Sequence, residues 1–103
     1  MIKVGLCDDI TDYNKKMENY IIRYGNENHI KVKITAYGSG SQLLLNFQKR
    51  KFDIIFLDVS MPELDGFETA ERIRSIDENV VIVFEEMQGS CRKFIRNEVI
   101  LKR

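Results

Sequence analysis

The sequence predicts an α/β protein built on a doubly wound parallel sheet, with its last helix–strand unit shortened or missing. Three observations carry this. The runs IIFLDV at 54–59 and VVIVF at 80–84 are apolar and largely β-branched, as strands buried on both faces are. The segments 10–27 and 66–76 instead space their apolar residues by three and four, as helices do. Strand and helix signals then alternate along the chain, the order of a parallel sheet joined by right-handed crossovers.

The totals narrow the class further. A chain of 103 residues holds one small domain, here taken as 1–103. It is 44% hydrophobic and 31% charged, the balance of a folded globular chain. Its 16 basic and 16 acidic residues cancel, which argues against a global field for nucleic acid. The start, MIKVGLCDD, lacks the apolar region of a signal peptide, and no stretch approaches the roughly 20 apolar residues of a membrane span. Cys7 and Cys91 form no CxxC pair and are read as reduced thiols. The expectation is a cytoplasmic protein without a membrane partner.

Taken in order, residues 2–7 alternate loosely and form the first strand, ending in Asp8 and Asp9. Residues 10–27 form a helix with Ile10, Tyr13, Met17, Tyr20, Ile21 and Tyr24 on its buried stripe. Asp9 or Thr11 would cap its start, and Gly25, Asn26 or Asn28 would end it. His29 falls in the following loop. IKVKITAY at 30–37 alternates with period two and reads as an edge strand whose lysines discourage further pairing. GSGS at 38–41 lacks the GxGxxG spacing of a phosphate loop and reads as a linker and helix cap. Residues 42–51 form a short helix with Leu43, Leu44 and Phe47 inward and the bases Lys49, Arg50 and Lys51 at its C-terminus.

The stretch FDIIFLDVSMPELD at 52–65 places Asp58 at the C-terminal end of a central strand, followed by a turning segment. Asp65 would cap the helix 66–76, which turns Phe67, Ala70, Ile73 and Ile76 to the core and pairs Glu68 with Arg72. The strand 80–84 follows. Beyond it, EEMQGS at 85–90 is polar and turn-like. Residues 91–103 fit a helix, or short strand pieces at Phe94-Ile95 and Val99-Ile100-Leu101, and pattern alone leaves the two open. The tail bases Arg92, Lys93, Arg96, Lys102 and Arg103 are read as solvating a helix or beginning a linker.

In open α/β sheets, ligands bind outside the carboxyl ends of the strands. Asp8 and Asp9 end one strand there and Asp58 ends its expected neighbour. Converging carboxylates repel one another, and a divalent cation resolves the repulsion. With no His or Cys donor expected alongside, oxygen ligands favour Mg²⁺ or Mn²⁺ over zinc. Such a metal also coordinates phosphate, and an aspartate can itself be the nucleophile that forms an acyl phosphate. The plainer alternative stays open: Asp8 and Asp9 cap the first helix while Asp58 accepts backbone N–H groups.

KVGLCDD, FDIIFLDVSMPELDGFETAERIR and VVIVF together resemble the receiver domain of two-component response regulators, a flavodoxin-like fold. The likeness covers 2–84, with 85–103 divergent or truncated, and its wording is most similar to the LytTR-type branch. That resemblance implies that Asp58 is the phosphoacceptor, taking its phosphoryl group from the phosphohistidine of a sensor histidine kinase. It implies that Asp8 and Asp9 hold Mg²⁺ with Asp58, that the backbone carbonyl of Ser60 completes the metal site, and that Met61, Pro62 and Gly66 shape the loop. It also implies control of an output, transcription in the LytTR-type branch, with DNA reached only through an output domain outside this chain.

The sequence departs from that family after Phe84. A Thr or Ser is expected at the end of the fourth strand, where Glu85 stands, and Ser90 is too far along to replace it. Two unit charges about 5 Å apart at an effective dielectric near 20 repel by roughly 3 kcal/mol, so Glu85 would disfavour a phosphorylated Asp58. A Lys is expected to end the fifth strand. If Phe94-Ile95 is that strand, Lys93 or Arg96 takes the role; if 91–101 is a helix, the strand is missing. An incomplete sheet leaves apolar surface that a second copy would cover, so a homodimer is expected. A phosphorylation-independent pseudo-receiver interaction module is the alternative function. An enzyme is not expected: a phosphohydrolase would carry a second acid two residues beyond its nucleophile, where Ser60 stands.

Overall fold

The structure, a computed structural model, describes residues 1–86 and 98–102. The runs at 54–58 and 81–84 become strands as predicted, and the strands described are β1 (Ile2–Cys7), β2 (Val32–Tyr37), β3 (Ile54–Asp58), β4 (Val81–Glu86) and β5 (Glu98–Lys102). Among the described residues these form one sheet in the order β2-β1-β3-β4-β5, every pair parallel. Among the described residues three helices lie between them: α1 (Thr11–Glu27), α2 (Gly40–Leu45) and α3 (Gly66–Ile76). The order turns back at β1, where the chain crosses from one side of the sheet to the other, and the carboxyl ends of β1 and β3 meet there. β2 is the edge strand that its lysine-bearing alternation predicts.

The main core fills the space between the sheet and the α2–α3 layer. Ile55 and Leu57 of β3, Ile82 and Phe84 of β4, Leu43 of α2 and Ala70 and Ile73 of α3 are all fully buried. Phe47 stacks on Phe52 at 6.4 Å between centroids, and Phe67 lies 4.8 Å from Phe84. Thr69, an inward residue that apolar spacing does not mark, is also buried, and its hydroxyl donates to the Asp65 carbonyl at 2.8 Å.

The opposite face is covered by α1, and less completely. Val4 and Leu6 are buried there, but Ile54 and Phe56 are only half-buried, so β3 is not enclosed on both sides as its composition predicts. On α1, Tyr13, Met17 and Ile21 turn inward as expected, whereas Ile10, Tyr20 and Tyr24 are exposed. An apolar groove of about 510 Å³ runs between them, lined by Val4, Ile54 and Phe56 on the sheet and Tyr20, Ile21 and Tyr24 on the helix.

Several boundaries differ from the sequence reading. α2 ends at Leu45 rather than 51, because the chain must turn at Asn46 to deliver Phe47 to the core; the Phe47 N–H closes that turn on the Leu44 carbonyl at 3.2 Å. The bases at 49–51 therefore lie in a loop, with Arg50 at a positive φ of 65°. α1 starts on Ile10 without a side-chain cap, so neither Asp9 nor Thr11 caps it, and it runs through the buried Gly25 to a cap at Asn28. Asp65 does cap α3. Its partner Glu68 reaches back to the Asp65 N–H at 3.1 Å, closing a capping box where an Arg72 pairing was expected.

The larger correction is at the end of the chain. Glu85 and Glu86 belong to β4 and not to a turn, and the fifth strand is present. Its EVILK sequence pairs parallel to β4 from Ile82↔Glu98 to Glu86↔Lys102. Val99, Ile100 and Leu101 are thus strand residues, which removes the helical reading there. Lys102 closes a strand rather than solvating a helix or starting a linker. The strand piece read at Phe94-Ile95, the turn at 87–90, and Cys91, Lys93, Arg96 and Ser90 lie outside the described residues.

A candidate acidic metal and acceptor site at the carboxyl end of the sheet

Residues in register on adjacent parallel strands project from the same face. Leu6 pairs with Phe56, and Phe56 with Val83. Two residues further along each strand come Asp8, Asp58 and Glu85, with Asp58 and Glu85 themselves register partners. Three carboxylates thus form a row across β1, β3 and β4. They are 1%, 4% and 6% exposed, the most deeply placed acids of the strand ends. Asp9, next to Asp8, is exposed.

The backbone around this row is fixed by short contacts. The Asp8 N–H donates to the Tyr37 carbonyl at 3.1 Å, and Asp8 Oδ1 accepts from the Ile10 N–H at 2.9 Å. Asn14 clamps the same corner through its side-chain amide, donating to the carbonyls of Asp8 and Tyr37 at 3.2 and 3.0 Å. Beyond Asp58, the Val59 N–H donates to the Glu85 carbonyl at 3.0 Å and the Gly66 N–H to the Val59 carbonyl at 2.9 Å. The Ser60 N–H points to Asp58 Oδ1 at 3.4 Å. Pro62 is exposed, and its carbonyl accepts from the Leu64 N–H at 2.8 Å. Glu63 between them takes a positive φ of 65°. Gly66 starts α3 against the end of β3, where only a residue without a side chain fits.

Carboxylate oxygens of Asp8, Asp9 and Asp58 lie within 4.8 Å of one another. The plainer alternative is met in part: Asp8 and Asp58 each accept a backbone N–H, from Ile10 and Ser60, while α1 has no side-chain cap from Asp8 or Asp9 at its N-cap Ile10. Hard oxygen donors of this kind suit a divalent cation such as Mg²⁺ or Mn²⁺. The neighbouring thiol does not join them: Cys7 faces the other side of the sheet, with its Sγ 3.8 Å from the Met61 Sδ. Burial, and then the negative charges of Asp8, Asp58 and Asp9, push the Cys7 thiol up to about 12, so it stays protonated. Met61 therefore shapes the loop by packing inward on Cys7, and the site is left to oxygen chemistry.

Two positions fall outside what sequence reasoning named. Lys102 is the last residue of β5, in register with Glu86, whereas Lys93 and Arg96, named for a strand at Phe94-Ile95, lie outside the described residues. The readable signal is the apolar triplet VIL followed directly by a lysine. Asn14, which ties Asp8 to the edge strand, carries no motif; its role follows only from the helix turn that brings it under Asp8.

A family model described as the response regulator receiver domain matches residues 4–97. The response regulator receiver protein CpdR of Brucella abortus is 33% identical over 84 residues, covering 82% of this chain and 65% of that protein. The probable transcriptional regulator ycf29 of Porphyra purpurea is 31% identical over 93 residues, covering 88% of this chain but 42% of its own length. The chain thus spans less than half of that regulator. Among solved structures, the receiver domain of a Pseudomonas aeruginosa sensor histidine kinase, which holds a coordinated magnesium ion in its active site cleft, superposes with a TM-score of 0.79 at 22% identity, covering 99% of this chain and 84% of its own. The Vibrio cholerae chemotaxis protein CheY4 superposes with a TM-score of 0.69 at 22% identity, covering 87% and 72%. With a family model spanning nearly the whole chain and the strand order and acidic corner described above, the chain belongs to the response regulator receiver domain family of two-component signalling.

Proposed function

We propose that Asp58 is the phosphoacceptor of this receiver and that Asp8, Asp9, Asp58 and the backbone carbonyl of Ser60 hold a Mg²⁺ ion beside it. The observation that carries this is the convergence of three carboxylates, two of them buried, at the carboxyl end of adjacent parallel strands. A bound Mg²⁺ would neutralise charge on the incoming phosphoryl oxygens. Asp58 supplies the nucleophile. One of its carboxylate oxygens attacks phosphorus in line, the P–N bond to the kinase histidine breaks, and the electron pair stays on the imidazole ring. The rigid corner around Asp8 and Gly66 contributes positioning.

We infer a sensor histidine kinase as the partner that supplies the phosphoryl group. The LytTR-like wording around Asp58 and the relatives named as transcriptional regulators support an output in transcription, with DNA reached through a domain beyond this receiver. Among the described residues no helix is long and apolar enough to cross a membrane, and we place the protein in the cytoplasm with its kinase's catalytic part. We do not assign it an enzymatic turnover of its own. The half-covered sheet face at Ile54 and Phe56 supports a homodimer, which sedimentation equilibrium would detect as a doubled mass.

Intact-mass analysis with acetyl phosphate tests the acceptor role. A gain of one phosphoryl group that requires Mg²⁺ and vanishes in Asp58→Asn is the expected result. No gain in the wild-type chain, with Mg²⁺ still bound, would replace this reading by the phosphorylation-independent interaction module.

A further inference from the structure

The row Asp8–Asp58–Glu85 has two unlike sides. On the β1 side of Asp58, Asp8 and Asp9 bring their oxygens within 4.8 Å of it and form a cation site. On the β4 side stands Glu85, in register with Asp58, 6% exposed, and outside that cluster. Its backbone cannot drift away, because the Glu85 carbonyl holds the Val59 N–H at 3.0 Å, directly after Asp58. Neighbouring strands lie about 4.8 Å apart. A group attached to Asp58 therefore has a cation pocket on one flank and a carboxylate-bearing residue on the other.

We propose that Glu85 sets the phosphoryl occupancy of Asp58 by acting oppositely on the two ligands of the site, favouring the cation and opposing the anion. The inference rests on Asp58 being the acceptor. A carboxylate one strand away attracts a divalent cation and repels a phosphoryl group that brings further negative charge to Asp58. At about 5 Å and an effective dielectric near 20, the charge interaction is large enough to change occupancy by about tenfold to a hundredfold. Burial keeps salt from screening it fully. The consequence is a receiver that binds Mg²⁺ readily but holds its phosphoryl group at low occupancy unless the donor is strong. Covering or displacing Glu85 would then raise the signal without any change at Asp58.

Glu85→Gln, nearly the same shape without the charge, tests this, with Glu85→Thr as the second variant. Folding is checked by far-UV circular dichroism. Three quantities are compared with the wild-type chain: Mg²⁺ affinity, beryllofluoride affinity at saturating Mg²⁺, and the fraction phosphorylated by acetyl phosphate. The expected result has opposite signs: Mg²⁺ affinity falls severalfold, while beryllofluoride affinity and phosphorylated fraction rise about tenfold or more. A merely structural role would weaken all three together, and that outcome overturns the proposal. So does an unchanged phosphorylated fraction in a variant that folds. If wild type and both variants accept no phosphoryl group although Mg²⁺ binds, the acceptor reading fails and this inference with it. If only the variants accept one, the opposition by Glu85 stands, while the wild-type chain is the phosphorylation-independent module.

Discussion

Gly66 lies directly behind Asp58: a β-carbon on Gly66 would come within 2.3 Å of the Asp58 carbonyl oxygen and 2.8 Å of the Val59 Cα. Both obstacles are backbone, so no side chain can rotate away. The start of α3 is thus pressed against the end of β3 as closely as two backbones allow, and Asp65 with Glu68 fixes it there through the capping box. Gly66→Ala should destabilise the fold by about 2 kcal/mol or more, in the range of overpacked sites, and should also weaken Mg²⁺ binding because Asp58 must shift. Urea unfolding and a metal titration on the same sample measure both.

Asp77 does a comparable task at the other end of the sheet. It is buried at the C-cap of α3, where Oδ1 accepts from the N–H groups of Asn79 at 2.9 Å and Val80 at 3.3 Å, and Oδ2 from Arg50 at 3.1 Å. Burial alone would raise its pKa. The three N–H donors, with the charge of Arg74, outweigh that and hold the carboxyl below its ordinary value. A depressed folded pKa contributes stability that is fully present above the unfolded value, near 3.9, and is lost as pH falls through the lower folded value. Asp77→Asn should therefore cost about 1 to 3 kcal/mol at neutral pH, and the gap from wild type should close below about pH 4. Urea midpoints measured from neutral to acid pH check the sign.

Cys7 should be inert while the chain is folded. Its thiol is fully buried and pushed up to about 12, first by burial and then by Asp8, Asp58 and Asp9. In a Cys91→Ser background, alkylation by iodoacetamide near pH 8 should run at least about a hundredfold slower in the folded chain than in urea. Because the folded pKa is raised, the protonated thiol is the form that the fold favours. This contribution is intact below the unfolded value, near 8.5, and is lost as pH rises towards 12.

The features that were legible in the sequence are those set by local pattern. IIFLD and the strand after Ile76 declare themselves by composition, and Asp65-Gly66 announces the start of α3 through cap chemistry. Asp8, Asp9 and Asp58 were readable because strand ends are predictable and a carboxylate buried there is costly unless a ligand or donor compensates its charge. What was not legible depends on distant contacts. α2 stops at Leu45 because Phe47 is required against Phe52, a contact within the folded core. That Glu85 stands against Asp58 was, by contrast, expected from the family resemblance, and the pairing of β3 with β4 makes the two register partners. The short EVILK segment carries too little periodicity to distinguish strand from helix, and its pairing with β4 decides the matter. Tyr20 and Tyr24 follow helical spacing yet stay exposed, since the sheet face before them is only half-covered.

The central claim is that Asp58, and neither Asp8 nor Asp9 beside it, becomes the acyl phosphate. Borohydride reduces an aspartyl phosphate to homoserine and leaves free carboxylates untouched, so peptide mapping after reduction locates the acceptor. Treatment with acetyl phosphate and Mg²⁺ should place homoserine at position 58, with none when Mg²⁺ is withheld. Homoserine at position 8 or 9, or at no position in a chain that binds Mg²⁺, would contradict the account.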